Sequence, residues 1–289
     1  MLNKIGIFLQ RIEGWFLVQR FKLRYQLNLV KPTYLLDKRR SDRTLTFEDM
    51  FELGELDRTK WNTAERWGRA HKQTNSYTTD GDNLHFFKNL PLVRFLVKEE
   101  SGTSNEWFGE FHYDFTRVML TSRDKHEQLY GRFEICAKMS NNKRCWPAFW
   151  LLNPAYETQD GFESIMPEID VFEHFGGESR KRKDMHFTLH WGGLYDAPTK
   201  DKCGTKIKRF DFEDFFVYSV EWTEKSLKWY VNDELIKVFR LRFLKGDDVP
   251  KRPMYMLVNN SPNREHAYNF DDKLPDGMTV DWIRTYEKK

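Results

Sequence analysis

Three carboxylates fall within six residues in Glu168-Ile169-Asp170-Val171-Phe172-Glu173. Ile, Val and Phe separate them, which suits a strand better than a solvated acidic loop. Side chains on a strand alternate faces, so Glu168 and Asp170 point the same way and Glu173 has the opposite parity. One β-bulge between Asp170 and Glu173 would return Glu173 to the shared face. Ile169 and one of Val171 or Phe172 would then enter the core. Two carboxyl groups on one surface are what glycoside hydrolysis requires, and the retaining route needs them about 5–5.5 Å apart. Four steps along a flat strand would cover roughly 13 Å, so a bent strand must bring the acids together. An ionised Asp170 between its neighbours would raise their pKa, the shift a general acid needs. The chemistry assigns Glu168 as nucleophile, Asp170 as helper and Glu173 as acid/base. The competing reading is a surface strand with charged outward positions.

The elements around this strand read as short strands and turns. Of 289 residues, 16% are aromatic and 10 are Trp, enough for a sandwich core and a sugar-stacking cleft together. Residues 84–99 carry strand-like runs, and Asp80-Gly81-Asp82-Asn83 reads as a turn. Residues 215–239 read as a meander, with Asn232-Asp233 at its second turn. Trp146 and Trp150 share a strand face, which suits a sugar platform or a core ladder. Tyr255, Leu257 and Asn259 share another. Gly176-Gly177 reads as a turn after Glu173. The run Arg180-Lys181-Arg182-Lys183 reads as a solvated tip, or as a sulfate reader. Residues 193–209 read as a long polar loop bordering the cleft.

The segment Pro167–Glu173 resembles the bulged catalytic motif of glycoside hydrolase family 16. The likeness continues through Tyr130-Gly131-Arg132-Phe133-Glu134 and Trp146–Leu152, then His190-Trp191-Gly192, Val217–Asp233 and Val280–Tyr286. It runs in the family's order from about Leu45 to Tyr286. The bulged spacing is similar to that of the laminarinase, agarase and carrageenase branches. The resemblance implies a two-sheet antiparallel β-sandwich of jelly-roll type with an open cleft. It implies endo-acting, retaining hydrolysis of a β-linked polysaccharide: a β-1,3-glucan, or an algal galactan such as agar, porphyran or carrageenan. It marks Trp146 as a sugar platform, His190 as a partner of a catalytic carboxylate or of the sugar, and Asn259 as a substrate contact. Thr121-Ser122-Arg123 resembles a cleft-facing segment, where Arg123 would bind sugar hydroxyls or fix a carboxylate; the alternative is a surface Arg. The stretch Asn259–Arg264 departs from the Gly-rich loop common in the family, which leaves the polysaccharide open. No cofactor is required. Asp281 sits where some relatives hold a structural calcium, but one acid falls short of the six to eight oxygens such a site takes. A glycan-binding sandwich without catalysis, or a depolymerase subunit of a larger, virion-like assembly, remains the alternative.

Charge is unevenly distributed. The net charge is +3, yet residues 1–40 hold nine Lys/Arg against two Asp/Glu. The body is therefore mildly acidic, which argues against nucleic acid as its ligand. Cys136, Cys145 and Cys203 fit no zinc spacing. Cys136 reads as a core residue, and a Cys145–Cys203 bridge is possible without being indicated. Ile5, Phe8, Leu9, Ile12, Trp15 and Phe16 recur at helical spacing within residues 2–29, beside Lys4, Arg11, Arg20, Lys22 and Arg24. This basic helix would pack on the body or a partner, lie on an anionic membrane, or anchor the chain in an assembly. No signal peptide is evident, so the route to an extracellular glycan is open. Residues 1–43 read as extension and linker, and 44–289 as one sandwich domain.

Overall fold

The computed structural model describes residues 2–157, 163–164, 166–179, 182–192, 201–208, 212 and 214–289. The principal strands, in chain order, begin with β1 (Arg43–Asp49), β2 (Ser76–Thr78), β3 (Leu84–Phe86), β4 (Val93–Val97) and β5 (Phe115–Thr121). They continue with β6 (Gly131–Lys138), β7 (Cys145–Leu152), β8 (Glu168–Ser179), β9 (Arg182–Trp191) and β10 (Asp201–Ile207). The last five are β11 (Phe215–Trp222), β12 (Ser226–Val231), β13 (Glu234–Arg240), β14 (Met254–Pro262) and β15 (Asp276–Lys288).

These strands form two sheets. One has the order β13-β12-β11-β6-β15-β4-β3, with β1 also paired to β15. The other has the order β10-β9-β8-β7-β14-β5-β2, extended by two-residue strands. Pairing is antiparallel except between β2 and β5, which run parallel. The alternation of side chains makes the core. Val118 and Leu120 of β5, Phe149 and Leu151 of β7, Ile169 of β8, Phe187 and Leu189 of β9 and Val258 of β14 pack against Phe133 and Ile135 of β6 and Val280 and Ile283 of β15. Their odd-even neighbours turn to the outer face of the second sheet. Among them are Arg117, Met119, Ala148, Trp150, His190 and Asn259.

The strand β8 carries the expected bulge. Asp170 pairs with Thr188 and Glu173 with His186, so two residues of β8 face one of β9. The shift recurs against β7, where Trp150 faces Asp170 and Phe149 faces Phe172. Val171 and Phe172 are both fully buried in the core, not one of them alone. A bulge spends its extra residue on the inward side here because two apolar side chains bury more surface than one, at about 2 kcal/mol each. Gly176-Gly177 does not end the strand; β8 continues to Ser179 through a second register shift after Phe175. Arg180 and Lys181 lie outside the described residues, as do the side chains of Arg182 and Lys183. Residues 193–200 of the expected polar loop also lie outside them, while 201–207 form β10.

The meander falls where expected, and its Asn232-Asp233 turn takes positive φ at both residues, 46° and 62°, as a two-residue hairpin of matching twist requires. All three cysteines are buried and outside any disulfide, with Cys136 in β6. The segment read as a linker packs along the first sheet. Leu36 is buried beside Cys136, Val217 and Trp282. Arg40 pairs with the buried Glu134 and with Asp233 at 2.6 and 2.7 Å. A guanidinium held by two carboxylates fixes this segment to the body rather than letting it swing.

The first 25 of these residues after Met1 form the helix α1 (Leu2–Gln26), which runs beside the edge strands β10 and β13. Its inner stripe is Gln10, Gly14, Val18 and Phe21, all buried. A Cβ on Gly14 would meet Thr205 Oγ1 of β10 at 3.1 Å, so glycine permits the close approach. Gln10 accepts from Arg240 N at 2.5 Å, and Glu13 pairs with the Arg240 guanidinium at 2.7 Å. The helix thus packs on the body, but not through the apolar stripe that periodicity singles out. Ile5, Phe8, Leu9, Ile12, Trp15 and Phe16 all face outward and are exposed.

Candidate active site

The bulge sets Glu168, Asp170 and Glu173 on one face of β8, at the floor of a cleft of about 630 Å³. His190, opposite Glu168 on β9, places Nε2 3.0 Å from Asp170 Oδ2 and 4.0 Å from Glu168 Oε1. Both glutamates lie within electrostatic reach of Asp170. The Glu168 side chain keeps 22% of its surface open, whereas that of Asp170 keeps 2%. An incoming sugar can therefore reach Glu168 but meets Asp170 only through its neighbours.

Three acids crowded out of water cannot all hold charge cheaply. Burial pushes the Glu168 carboxyl well above the usual range, and the charge on Asp170 adds to the push while His190 opposes it. Burial likewise raises Asp170, reinforced by Glu173 and opposed by its contact with Glu168 and by Lys237 beneath the sheet. Burial raises Glu173 too, against the pull of His190, the Trp146 side chain, Arg264 and Lys202. The site therefore holds a shared proton inventory, with carboxyls that accept and release protons nearer neutrality than free ones do.

The walls are aromatic and cationic. Trp67, Trp146 and Trp150 line the cleft. Arg264 lies over the Trp146 ring, 4.5 Å from its centroid. Trp150 Nε1 donates to Asn259 Oδ1 at 2.8 Å, and Asn259 in turn donates to Ser261 Oγ at 3.2 Å. Trp146, His190 and Asn259 are thus all brought to the cleft. Arg123 is not. It falls past the end of β5, where its guanidinium pairs with Asp124 at 3.2 Å. The cleft-facing residues of that strand are Arg117 and Met119, three and two strand periods earlier.

Several cleft residues carried no local signal. Arg117 and Glu65 form an ion pair at 2.8 Å with both side chains 2% exposed, and Arg117 also donates to Ser261 Oγ at 2.8 Å. His71 is pushed down to about 2 by burial and by the charges of Arg117 and Arg264, so it works as a neutral ring. The parity of Arg117 with Met119 on an otherwise apolar strand was a usable clue; Glu65, His71 and Lys202 come from loops and edges that only the fold brings together.

Near Asp281 the carboxylate of Asp37 and the thiol of Cys136 come close enough to offer one donor atom each. Two carboxylates and a thiol fall short of the six to eight oxygens calcium takes. Burial and the Asp37 charge raise Asp281 to about 6, which further disfavours a donor role in mild acid.

A two-sheet sandwich with a bulged three-acid strand under an aromatic cleft defines a carbohydrate-active fold of the glycosidase kind. The model for glycosyl hydrolases family 16 matches residues 74–284, and the chain belongs to that family. It is 36% identical over 179 residues to the endo-1,3-1,4-beta-glycanase ExsH of Rhizobium meliloti, covering 60% of this chain and 34% of that protein. It is 26% identical over 182 residues to a beta-glucanase of Rhodothermus marinus, covering 60% of this chain and 63% of that one. The chain thus spans about a third of the first relative's length and under two thirds of the second's. The crystal structure of the laminarinase catalytic domain from Thermotoga maritima superposes with a TM-score of 0.69 at 26% identity, over 86% of this chain and 100% of that one.

Proposed function

We propose that this protein is an endo-acting, retaining hydrolase of β-1,3-linked glucan, working on extracellular polysaccharide. The observation that carries the reading is the one-residue bulge that gathers Glu168, Asp170 and Glu173 on the floor of an open aromatic cleft. The relatives named for glucanase and laminarinase activity support glucan as the substrate class. Glu168, ionised, attacks the anomeric carbon while Glu173, protonated, gives its proton to the leaving oxygen. The glycosidic C–O bond breaks and a Glu168 ester forms. Glu173, now ionised, takes a proton from water, whose oxygen attacks the same carbon and releases Glu168. Asp170 holds the proton balance between them, and His190 steadies Asp170. Trp146 and Trp150 stack on sugar faces, and Asn259 reaches hydroxyls. An open cleft admits a chain anywhere along its length, which favours internal cuts.

The test is reducing-end release from laminarin, mixed-linkage glucan, agarose and carrageenan, with wild type and Glu168→Gln. Laminarin should yield mixed-length products, and Glu168→Gln should cut the rate by about 10³-fold or more. Release from a galactan alone would move the substrate class. Retention of glycan with no new ends on any of the four would replace hydrolysis by a binding role.

A further inference from the structure

The outward face of α1 has no use in the cleft and no cover in the described residues. A helix lying on a globular body usually turns polar residues to water. This one turns out Ile5, Phe8, Ile12, Trp15 and Phe16, with Leu23 two turns beyond, over about 27 Å of helix. Phe8, Trp15 and Phe16 are 57–61% exposed, and the last two rings meet edge-on at 4.9 Å. Cations border the strip on both sides. Arg11 and Lys22 lie along one margin, where they donate to Lys202 O and Lys208 O, and the exposed Arg20 lies along the other beside Arg24, which pairs with Glu234. The one acid of the helix, Glu13, is turned to the body and held by Arg240.

We propose that this face of α1 lies in the headgroup layer of an anionic phospholipid surface and holds the enzyme against it. Apolar side chains with aromatic rings enter the acyl boundary, and flanking Lys and Arg meet the lipid phosphates. The helix lies flat, because no helix among the described residues is long and apolar enough to cross a membrane. A second copy is a poorer occupant. Two such faces packed together would set cationic margins against each other, and the nearby acids Glu13 and Glu234 are already held by Arg240 and Arg24. The orientation has a geometric result. Arg11 Nη2, on one margin, donates to Lys202 O at 2.9 Å, and Lys202 lines the cleft. One rim of the cleft therefore sits beside the lipid-facing strip.

The test uses the full chain and vesicles of phosphatidylcholine, with or without phosphatidylglycerol, in a sedimentation assay. The wild type should sediment with the anionic vesicles at least about tenfold more than with neutral ones, and less as salt rises. Combined Phe8→Ser, Trp15→Ser and Phe16→Ser should lower that binding about tenfold or more. Arg20→Glu alone should lower it measurably, and both variants should melt as the wild type does. Equal sedimentation of wild type and the triple variant would overturn the proposal. So would a wild type that ignores anionic vesicles, including one whose strip proves by light scattering to join two copies.

Discussion

Trp229 Nε1, on β12 of the opposite sheet, crosses the core to donate to the main-chain carbonyl of Asp170 at 2.7 Å. The acceptor sits at the bulge itself, where the register of β8 shifts against both neighbours. A bulge leaves ladder groups unpaired. A side chain from the far sheet satisfies one of them here, so the bulge is held from within the core as well as from its own sheet.

Replacing Trp229 by Phe keeps most of the buried ring and removes the donor. The carbonyl of Asp170 is then left without this partner in a dry interior, at a cost of about 1–3 kcal/mol. Urea unfolding should show that loss, and glucan hydrolysis should fall further than stability alone accounts for. A fully stable variant with unchanged turnover would mean that the bulge needs no support from the second sheet.

Asp170→Asn should move the acid limb of the pH–rate profile to lower pH. The charge on Asp170 helps hold the Glu168 carboxyl above its usual range. Without that charge Glu168 ionises more easily, and the proposed nucleophile persists to lower pH. Turnover should still fall, since in the proposed mechanism Asp170 sets the proton balance between the two glutamates. Stability should move the other way. A carboxyl raised by folding binds its proton more tightly in the native chain, so folding loses stability as pH rises above the unfolded carboxyl range. Neutralising Asp170 relieves that burden, and thermal melting at pH 7 should occur at a higher temperature than in the wild type.

Lys237 is buried under β9 and β10, donates to Phe187 O at 3.2 Å and also to Cys203 O, and lies 4.6 Å from the Trp229 ring centroid. Burial pulls its pKa down to about 8. Between there and the unfolded value of about 10.4, the unfolded chain holds the proton and the folded chain releases it. This group therefore adds stability as pH rises through that window. Lys237→Met should remove that increment: the difference in urea midpoint between wild type and variant should change steadily from pH 8 to pH 10, in favour of the wild type. A constant difference across the window would assign the ammonium an ordinary pKa.

The parity of Glu168, Asp170 and Glu173 was enough to require a bulge, because alternation on a strand is a rule of geometry and not of context. The same rule left Val171 and Phe172 undecided, since which residue a bulge turns inward depends on the space across the core. Arg123 resembled a cleft residue, yet β5 ends before it, and strand ends are set by pairing partners far away in sequence. Helical periodicity found the outward strip of α1 and not its packing stripe. That stripe holds Gln10 and Gly14, which fit by hydrogen bonding and by smallness, and neither property registers as hydrophobic. The stretch Asn259–Arg264 marked a departure from the family without saying what it does; in the fold it sets Arg264 over the Trp146 ring.

The docking of α1 has one more result. β10 and β13 are the terminal strands of the two sheets on the same side of the sandwich. The helix reaches the backbone at this margin through Arg11 to Lys202 O and through Gln10 to Arg240 N. A fragment lacking only α1 would bare both margins at once. Open strand margins recruit other strands, so such a fragment should polymerise or precipitate on storage. The basic helix thus covers two strand edges that would otherwise lie open to strands of other molecules.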